Sequence, residues 1–217
     1  MSAAVRLHQI HAGIASAARL GRREPGRVTL VAVSKTHSAE EIEALIAAGQ
    51  RHFGESRVQE AIAKWPSLRA AYPDVTLHCV GRLQSSKAAE AVQWFDVIHS
   101  VDRPSLLAAL AKEAGKQGRV PAVYVQVNIG EEAQKGGCPI DAVGALIAAV
   151  RESPLPLAGL MAIPPQGVEA APYFALLAEL ARRHGVTGLS MGMSADYRAA
   201  VALGATIVRV GTALFED

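Results

Sequence analysis

The chain has 217 residues, half of them hydrophobic and 19% charged, a length that suits one large domain and a balance that excludes a disordered or fibrous chain. Its 22 Lys and Arg exceed its 20 Asp and Glu by only two and are scattered, so no basic stripe suits a polyanion and nucleic acid is not an expected partner. No apolar run approaches the roughly 18 residues of a membrane span, so no membrane insertion is expected, and the missing targeting signals point to the cytoplasm.

In chain order, the first 23 residues hold Arg6, Arg19, Arg22 and Arg23 without an acid, a composition shared with transit peptides. Leu7, Ile10, Ile14 and Ala17 nevertheless recur at helical spacing and predict a packed amphipathic helix, with His8 and His11 on its exposed face. Short β-branched runs then alternate with alanine-rich stretches, the pattern of parallel strands joined by helices. Strands are expected at Val28 to Val33, His52 to Gly54, Thr76 to Val80, Val97 to Val101, Val123 to Asn128, Leu157 to Ile163, Gly188 to Gly192 and Thr206 to Gly211. Helices are expected near Ala39 to Ala48, Ser56 to Ala71, Lys87 to Val92, Pro104 to Gln117, Ile140 to Glu152, Glu169 to His184 and Asp196 to Leu203. The second strand is short and the seventh rich in glycine, which makes them the weakest by propensity.

Eight such units predict a single (β/α)₈ barrel of the TIM type over residues 1–217, with an open doubly wound sheet as the alternative. Too few residues follow the eighth strand for a closing helix, and the N-terminal helix is the candidate to cover that gap. No linker or low-complexity tract divides the chain. Cys79 and Cys138 are far apart and lack a C-x-x-C spacing, so neither a disulfide framework nor a zinc site is expected, and the scattered histidines predict no metal centre.

Lys35 follows the first strand and so falls at the C-terminal mouth, where barrel proteins build their sites. An amine held there against an apolar wall loses proton affinity and can attack an aldehyde, although a solvated loop lysine fits the same position. Ser190-Met191-Gly192-Met193-Ser194-Ala195-Asp196 looks like a strand-to-helix turn, with Ser194 as the cap, Gly192 allowing close backbone approach, and free N–H groups that suit a phosphate. Arg209 shares a strand face with Ile207 and Gly211 and, inside a barrel, needs a carboxylate, a carbonyl or a ligand acceptor. Gly211 and Thr212 add a second backbone approach and a hydroxyl, matching the phosphate site often found after strands seven and eight. Glu55, His78, Arg82, Gln84, Gln126 and Asn128 are polar strand-end residues that line a mouth or satisfy backbone groups.

Val-Ala-Val-Ser-Lys-Thr, Phe-Gly-Glu with Val58-Gln59-Glu60, Gly81-Arg82-Leu83-Gln84, Val127-Asn128-Ile129, Gly159-Leu160-Met161, Leu189-Ser190-Met191-Gly192-Met193-Ser194 and Val208-Arg209-Val210-Gly211 together resemble the pyridoxal phosphate homeostasis family. The match runs from Val28 to Phe215 with the motifs in order. The resemblance implies a barrel similar to the N-terminal domain of alanine racemases, with pyridoxal 5′-phosphate (PLP) held as a Schiff base on Lys35. It further implies that Ser194, Gly211 and Thr212 hold the phosphate, joined by backbone near Met193, and that Arg209 faces the pyridine nitrogen. Ser56 and Ser86 stand where the family usually has asparagine, and Arg57 replaces a common aromatic residue.

An arginine at the pyridine nitrogen disfavours pyridinium and weakens the ring as an electron sink. The expectation is therefore a monomeric PLP carrier acting in cofactor homeostasis, with apo PLP-dependent enzymes as recipients and no catalytic residues. The alternatives are a PLP-dependent racemase or decarboxylase of the alanine racemase type, for which no second base is visible in the sequence, and a Schiff-base aldolase barrel.

Overall fold

Runs rich in Val, Ile and Leu, bounded by glycine and polar residues, form the staves of a barrel whose strand order follows the chain. The structure is a computed structural model and describes residues 1–216. The strands are β1 (Thr29–Val33), β2 (His52–Glu55), β3 (Thr76–Cys79), β4 (Val97–Val101), β5 (Ala122–Val127), β6 (Leu157–Ala162), β7 (Leu189–Ser190) and β8 (Ile207–Val210). The helices are α1 (Ala3–Leu20), α2 (Ala39–Ala47), α3 (Val58–Ala71), α4 (Ala88–Trp94), α5 (Pro104–Gln117), α6 (Val143–Glu152), α7 (Ala171–Arg183), α8 (Tyr197–Ala202) and the single turn α9 (Thr212–Phe215). β1 pairs in parallel with β2 and also with β8, in the register Thr29↔Ile207 to Ala32↔Val210. That closure excludes the open doubly wound sheet.

All eight expected strands are present, most within one or two residues of the expected ends. The seventh differs most, because only Leu189 and Ser190 of the expected Gly188 to Gly192 run pair as a strand. Gly188 lies against the Ala158 and Gly159 backbone with no room for a side chain. Gly192 has φ +93°, and a Cβ there would meet the Ala200 Cβ at 2.5 Å, so this glycine serves the turn itself. α3 begins at Val58 rather than Ser56, with Arg57 in the extended cap position.

Leu7, Ile10, Ile14 and Ala17 are buried as the helical spacing requires, and α1 packs against α8 and α9. Arg6 Nε donates to the Leu214 carbonyl at 2.7 Å, so the N-terminal helix covers the gap left by the one-turn α9. The larger apolar core, including Phe53, Trp65, Phe95 and Phe174, involves the surrounding helices; a smaller cluster groups Val31, Tyr124, Met161 and Ile207. Cys79 and Cys138 are both buried and free. No helix among the described residues is long and apolar enough to cross a membrane.

The strands also enclose a row of polar side chains. His52 Nδ1 lies 3.1 Å from His78 Nε2, His78 Nδ1 lies 2.9 Å from His99 Nε2, and His99 Nδ1 lies 2.8 Å from Ser190 Oγ. The three imidazoles line up rather than converge, and among the described residues no His, Cys, Asp and Glu group could hold a metal ion. Burial, with the neighbouring His52, pushes His78 down to about 3. Burial, with His78 and Arg209, holds His99 well below the usual imidazole value.

These depressions make stability depend on pH in one direction. Below the ordinary imidazole value of 6.5 the unfolded chain takes up protons that the folded barrel refuses, down to about 3 at His78, so unfolding is favoured as pH falls. Each of His78 and His99 is expected to remove up to about 1.4 kcal/mol per pH unit over that window. The denaturant midpoint should therefore fall from about pH 6.5 to 5, less steeply in His78→Gln. An unchanged midpoint across that interval would contradict the burial of neutral imidazoles.

Candidate functional site

The turn that follows β1 is held from beneath by a buried ion pair. Lys64 Nζ, on α3, donates to the carbonyls of Ser34 at 2.8 Å and His37 at 3.0 Å and pairs with Glu55 at 2.9 Å. Glu55, fully buried at the end of β2, accepts through Oε1 from Ser34 Oγ at 2.8 Å and Trp65 Nε1 at 3.0 Å. Thr36 has φ +67°, a left-handed conformation uncommon for a β-branched residue, so this turn is imposed by its surroundings. His37 stacks on Phe215 with ring centroids 4.0 Å apart, which joins the turn to α9.

Lys35 projects from this turn and is exposed. Strand-end position predicted the mouth but not the openness of the loop that forms it. Its Nζ has no partner among the described residues, whereas Lys64 is fully engaged, Lys87 pairs with Glu90, and Lys135 bonds Glu132 and the Pro164 carbonyl.

The strand-seven turn differs from its expected form. Met193 N–H donates to Asp196 Oδ1 at 2.6 Å, and α8 starts at Tyr197 with Asp196, not Ser194, in the cap position. Asp196 N–H and Tyr197 N–H both return to the Met193 carbonyl, at 3.1 and 2.8 Å. Ser194 therefore lies two residues too early to cap, and the N–H groups of Ser194 and Ala195, with the Ser194 hydroxyl, have no protein partner among the described residues. The open donors belong to the turn rather than to the helix end. Across from it, a Cβ on Gly211 would meet the Val33 carbonyl at 3.3 Å, so the end of β8 runs close along β1.

Arg209 is 4% exposed on β8. Nη1 donates to the Ser190 carbonyl at 2.8 Å and to Ser190 Oγ, and Nη2 donates to the Ala162 carbonyl at 3.1 Å. Acceptors on neutral groups replace the ion pair that a buried guanidinium usually finds. Burial lowers its value to about 10, opposed by Asp196 and Tyr124, so the side chain stays cationic at neutral pH. A guanidinium has five N–H donors; here Nε–H and one Nη2 N–H have no protein acceptor among the described residues.

Lys35, Met193, Ser194, Arg209, Gly211 and Thr212 all line one cavity of about 320 Å³, together with Val33, Thr36, His37, Ala195 and Glu216. Three larger cavities, of about 620, 760 and 440 Å³, hold none of the six. The first lies over the loops after β2 and β3 and contains Ser56, Arg57, Arg82 and Gln84, so the departures from the family motif at Ser56 and Arg57 line a different cavity from Lys35. Among the weaker sequence candidates, Gln126 bonds the Gly136 carbonyl and Asn128 bonds the backbone of Glu132, which are structural roles. Glu55, one of the polar strand-end candidates, serves the clamp beneath the turn rather than the mouth, while Lys64, Ser190 and Ala195 are site residues that strand-end reasoning did not single out.

A free amine, a turn of open N–H and hydroxyl donors, and a cation with two unused donors suit a ligand that carries a phosphate, an electrophilic carbon and a ring acceptor. The fold that holds them is that of the alanine racemase N-terminal domain. The family model described as "Alanine racemase, N-terminal domain" matches residues 5–217. An alanine racemase of Clostridium difficile shares the fold with a TM-score of 0.76 at 14% identity, over 100% of this chain and 56% of its own.

Within that fold the chain belongs to the pyridoxal phosphate homeostasis protein family. It is 41% identical to the pyridoxal phosphate homeostasis protein of Pseudomonas aeruginosa, over 95% of this chain and 92% of that protein. It is 37% identical to the Escherichia coli protein of the same name, over 96% and 94%. PipY of Synechococcus elongatus, in a structure with PLP bound, matches with a TM-score of 0.85 and 41% identity, over 99% of this chain and 100% of that one.

The clamp beneath Lys35 has a direct test. Lys64→Met leaves the buried Glu55 carboxylate without its counter-charge and should cost about 3–5 kcal/mol, read from the denaturant midpoint. An unchanged midpoint would show that the pair does not hold the turn.

Proposed function

We propose that this chain binds pyridoxal 5′-phosphate through a Schiff base on Lys35 and acts in intracellular homeostasis of that cofactor, passing it to apo PLP-dependent enzymes rather than turning over a substrate. The observation that carries this reading is the convergence of Lys35, Met193, Ser194, Arg209, Gly211 and Thr212 on one cavity, in a family whose member PipY has been crystallised with PLP bound. When bound, PLP supplies an aldehyde carbon that condenses with an amine, and a pyridine ring that draws electrons when its nitrogen is protonated.

The chain's own residues match that ligand piece by piece. Lys35 offers an amine with no competing partner. Ser194, Ala195 and Thr212 offer N–H and hydroxyl donors to the phosphate, and Gly211 leaves room for it beside Val33. Arg209 directs a fixed charge and two unused donors toward a ring acceptor, and a permanent cation there keeps a proton off the ring nitrogen. Holding the cofactor is thereby favoured over using it.

The alternative, a racemase or decarboxylase, requires a second group that moves a proton. Besides Lys35 and Arg209, the titratable groups that line the cavity are His37 and Glu216. His37 is stacked on Phe215 and bonded to Glu41 at 3.2 Å, which ties its ring to structure. The proposal places the protein in the cytoplasm as a monomer.

Two measurements test the assignment of residues. Borohydride reduction of the PLP-loaded protein followed by peptide mapping should place the label on Lys35, and Lys35→Ala should lose the near-visible absorption; primary label on another lysine overturns the assignment. Ser194→Ala should weaken PLP binding by about 1–2 kcal/mol while leaving pyridoxal, which lacks the phosphate, unaffected. Gly211→Val should weaken PLP binding further, and unchanged affinity there would put the phosphate elsewhere.

A further inference from the structure

The row of histidines inside the barrel ends on the arginine of the cofactor cavity, and donor and acceptor counting fixes its direction. Arg209 can only donate, so Ser190 Oγ accepts from it. Ser190 is fully buried, and the acceptor within reach of its own hydroxyl proton is His99 Nδ1, at 2.8 Å. With Nδ1 accepting, His99 carries its proton on Nε2 and donates to His78 Nδ1 at 2.9 Å. His78 in turn donates from Nε2 to His52 Nδ1 at 3.1 Å. The opposite polarity would have Ser190 Oγ accept from both Arg209 and His99 and leave its hydroxyl proton buried without an acceptor, which costs about 1–3 kcal/mol. The Tyr124 ring, stacked on His99 with centroids 4.7 Å apart, fixes the plane of the central imidazole.

The run steps across the sheet from β2 through β3 and β4 to β7 and β8. His52 is the first residue of its strand and only half-buried, so the far end of the row lies at the N-terminal rim, opposite the mouth that carries Lys35. We propose that Ser190, His99, His78 and His52 are positioning residues for Arg209, joined in one polarised hydrogen-bond relay that runs from the cofactor cavity through the barrel interior to the N-terminal rim. Successive bonds of one direction polarise each other, so the relay strengthens Ser190 Oγ as the acceptor that anchors Nη1 and leaves Nε–H and one Nη2 N–H for the ligand. The part of this inference that concerns the ring nitrogen rests on the proposed PLP reading; the relay itself does not.

The test begins with the protein without cofactor. Long-range ¹H–¹⁵N spectra of the histidines at neutral pH should show His52, His78 and His99 neutral with the proton on Nε2. A proton on Nδ1 of His78 or His99 would overturn the polarity. Ser190→Ala should shift the ring resonances of His99, His78 and His52, and Ser190→Thr should restore them; changes confined to His99 would show isolated contacts rather than a relay. His52→Ala, a change at the half-buried rim, should in turn move the His99 resonances.

With cofactor, Ser190→Ala should weaken PLP binding by about 2- to 10-fold but leave unchanged the binding of an analogue in which the ring nitrogen is replaced by CH. Equal weakening of both would reduce Ser190 to a packing role. If the wild-type protein binds neither, the PLP reading fails while the resonance arms still decide the relay.

Discussion

Arg209 is a permanent charge taken out of water without a carboxylate bonded to it. Two carbonyls and one serine hydroxyl take three of its five donors, and the side chain lines the cavity at the mouth of the barrel. Much of the interior follows from that constraint. Ser190 has to accept and therefore has to pass its own proton on, which calls for His99 and then for His78 and His52. The two donors left over have no protein acceptor among the described residues and suit a ligand acceptor in the cavity. A protein that needed a protonated pyridine ring would be poorly served by this arrangement, because a carboxylate rather than a guanidinium stabilises that proton.

The cavity depends equally on closure. Lys35 leaves β1, while Ser194, Arg209, Gly211 and Thr212 belong to β7, β8 and the turns after them, about 160 to 180 residues later in the sequence. Pairing of β1 with β8 turns that separation into adjacency, and the Glu55–Lys64 pair with the His37–Phe215 stack then holds the two sides in place. The α1 helix completes the wall through its contacts with α8 and α9.

Much of this was legible in the sequence, because alternating β-branched and alanine-rich runs are local signals. β4 and α5 fall on the expected residues. β7 keeps regular strand geometry over only two residues because Gly192, at φ +93°, leaves the extended region, although the Gly188 and Gly192 carbonyls still accept from the N–H groups of Leu160 and Arg209. Ser194 was singled out as a cap because serine before a helix usually is one; the Asp196 carboxylate took the Met193 N–H instead, and Ser194 was left open. The six cavity residues were readable as strand ends plus a family motif. The relay was not, since His52, His78 and His99 become neighbours only once strand register is known. The openness of Lys35 was hidden for a related reason, as it depends on the path of the loop and not on the strand that precedes it.

On the proposed reading the cavity holds PLP without using it to transform amino acids. The most direct measurement is deuterium incorporation at Cα when the PLP-loaded protein is incubated with a panel of amino acids in D₂O, with free PLP at the same concentration as the reference. A carrier should exchange no faster than free PLP. Many turnovers per site, well above that reference, would make the protein an enzyme rather than a carrier, with His37 and Glu216 the first residues to replace.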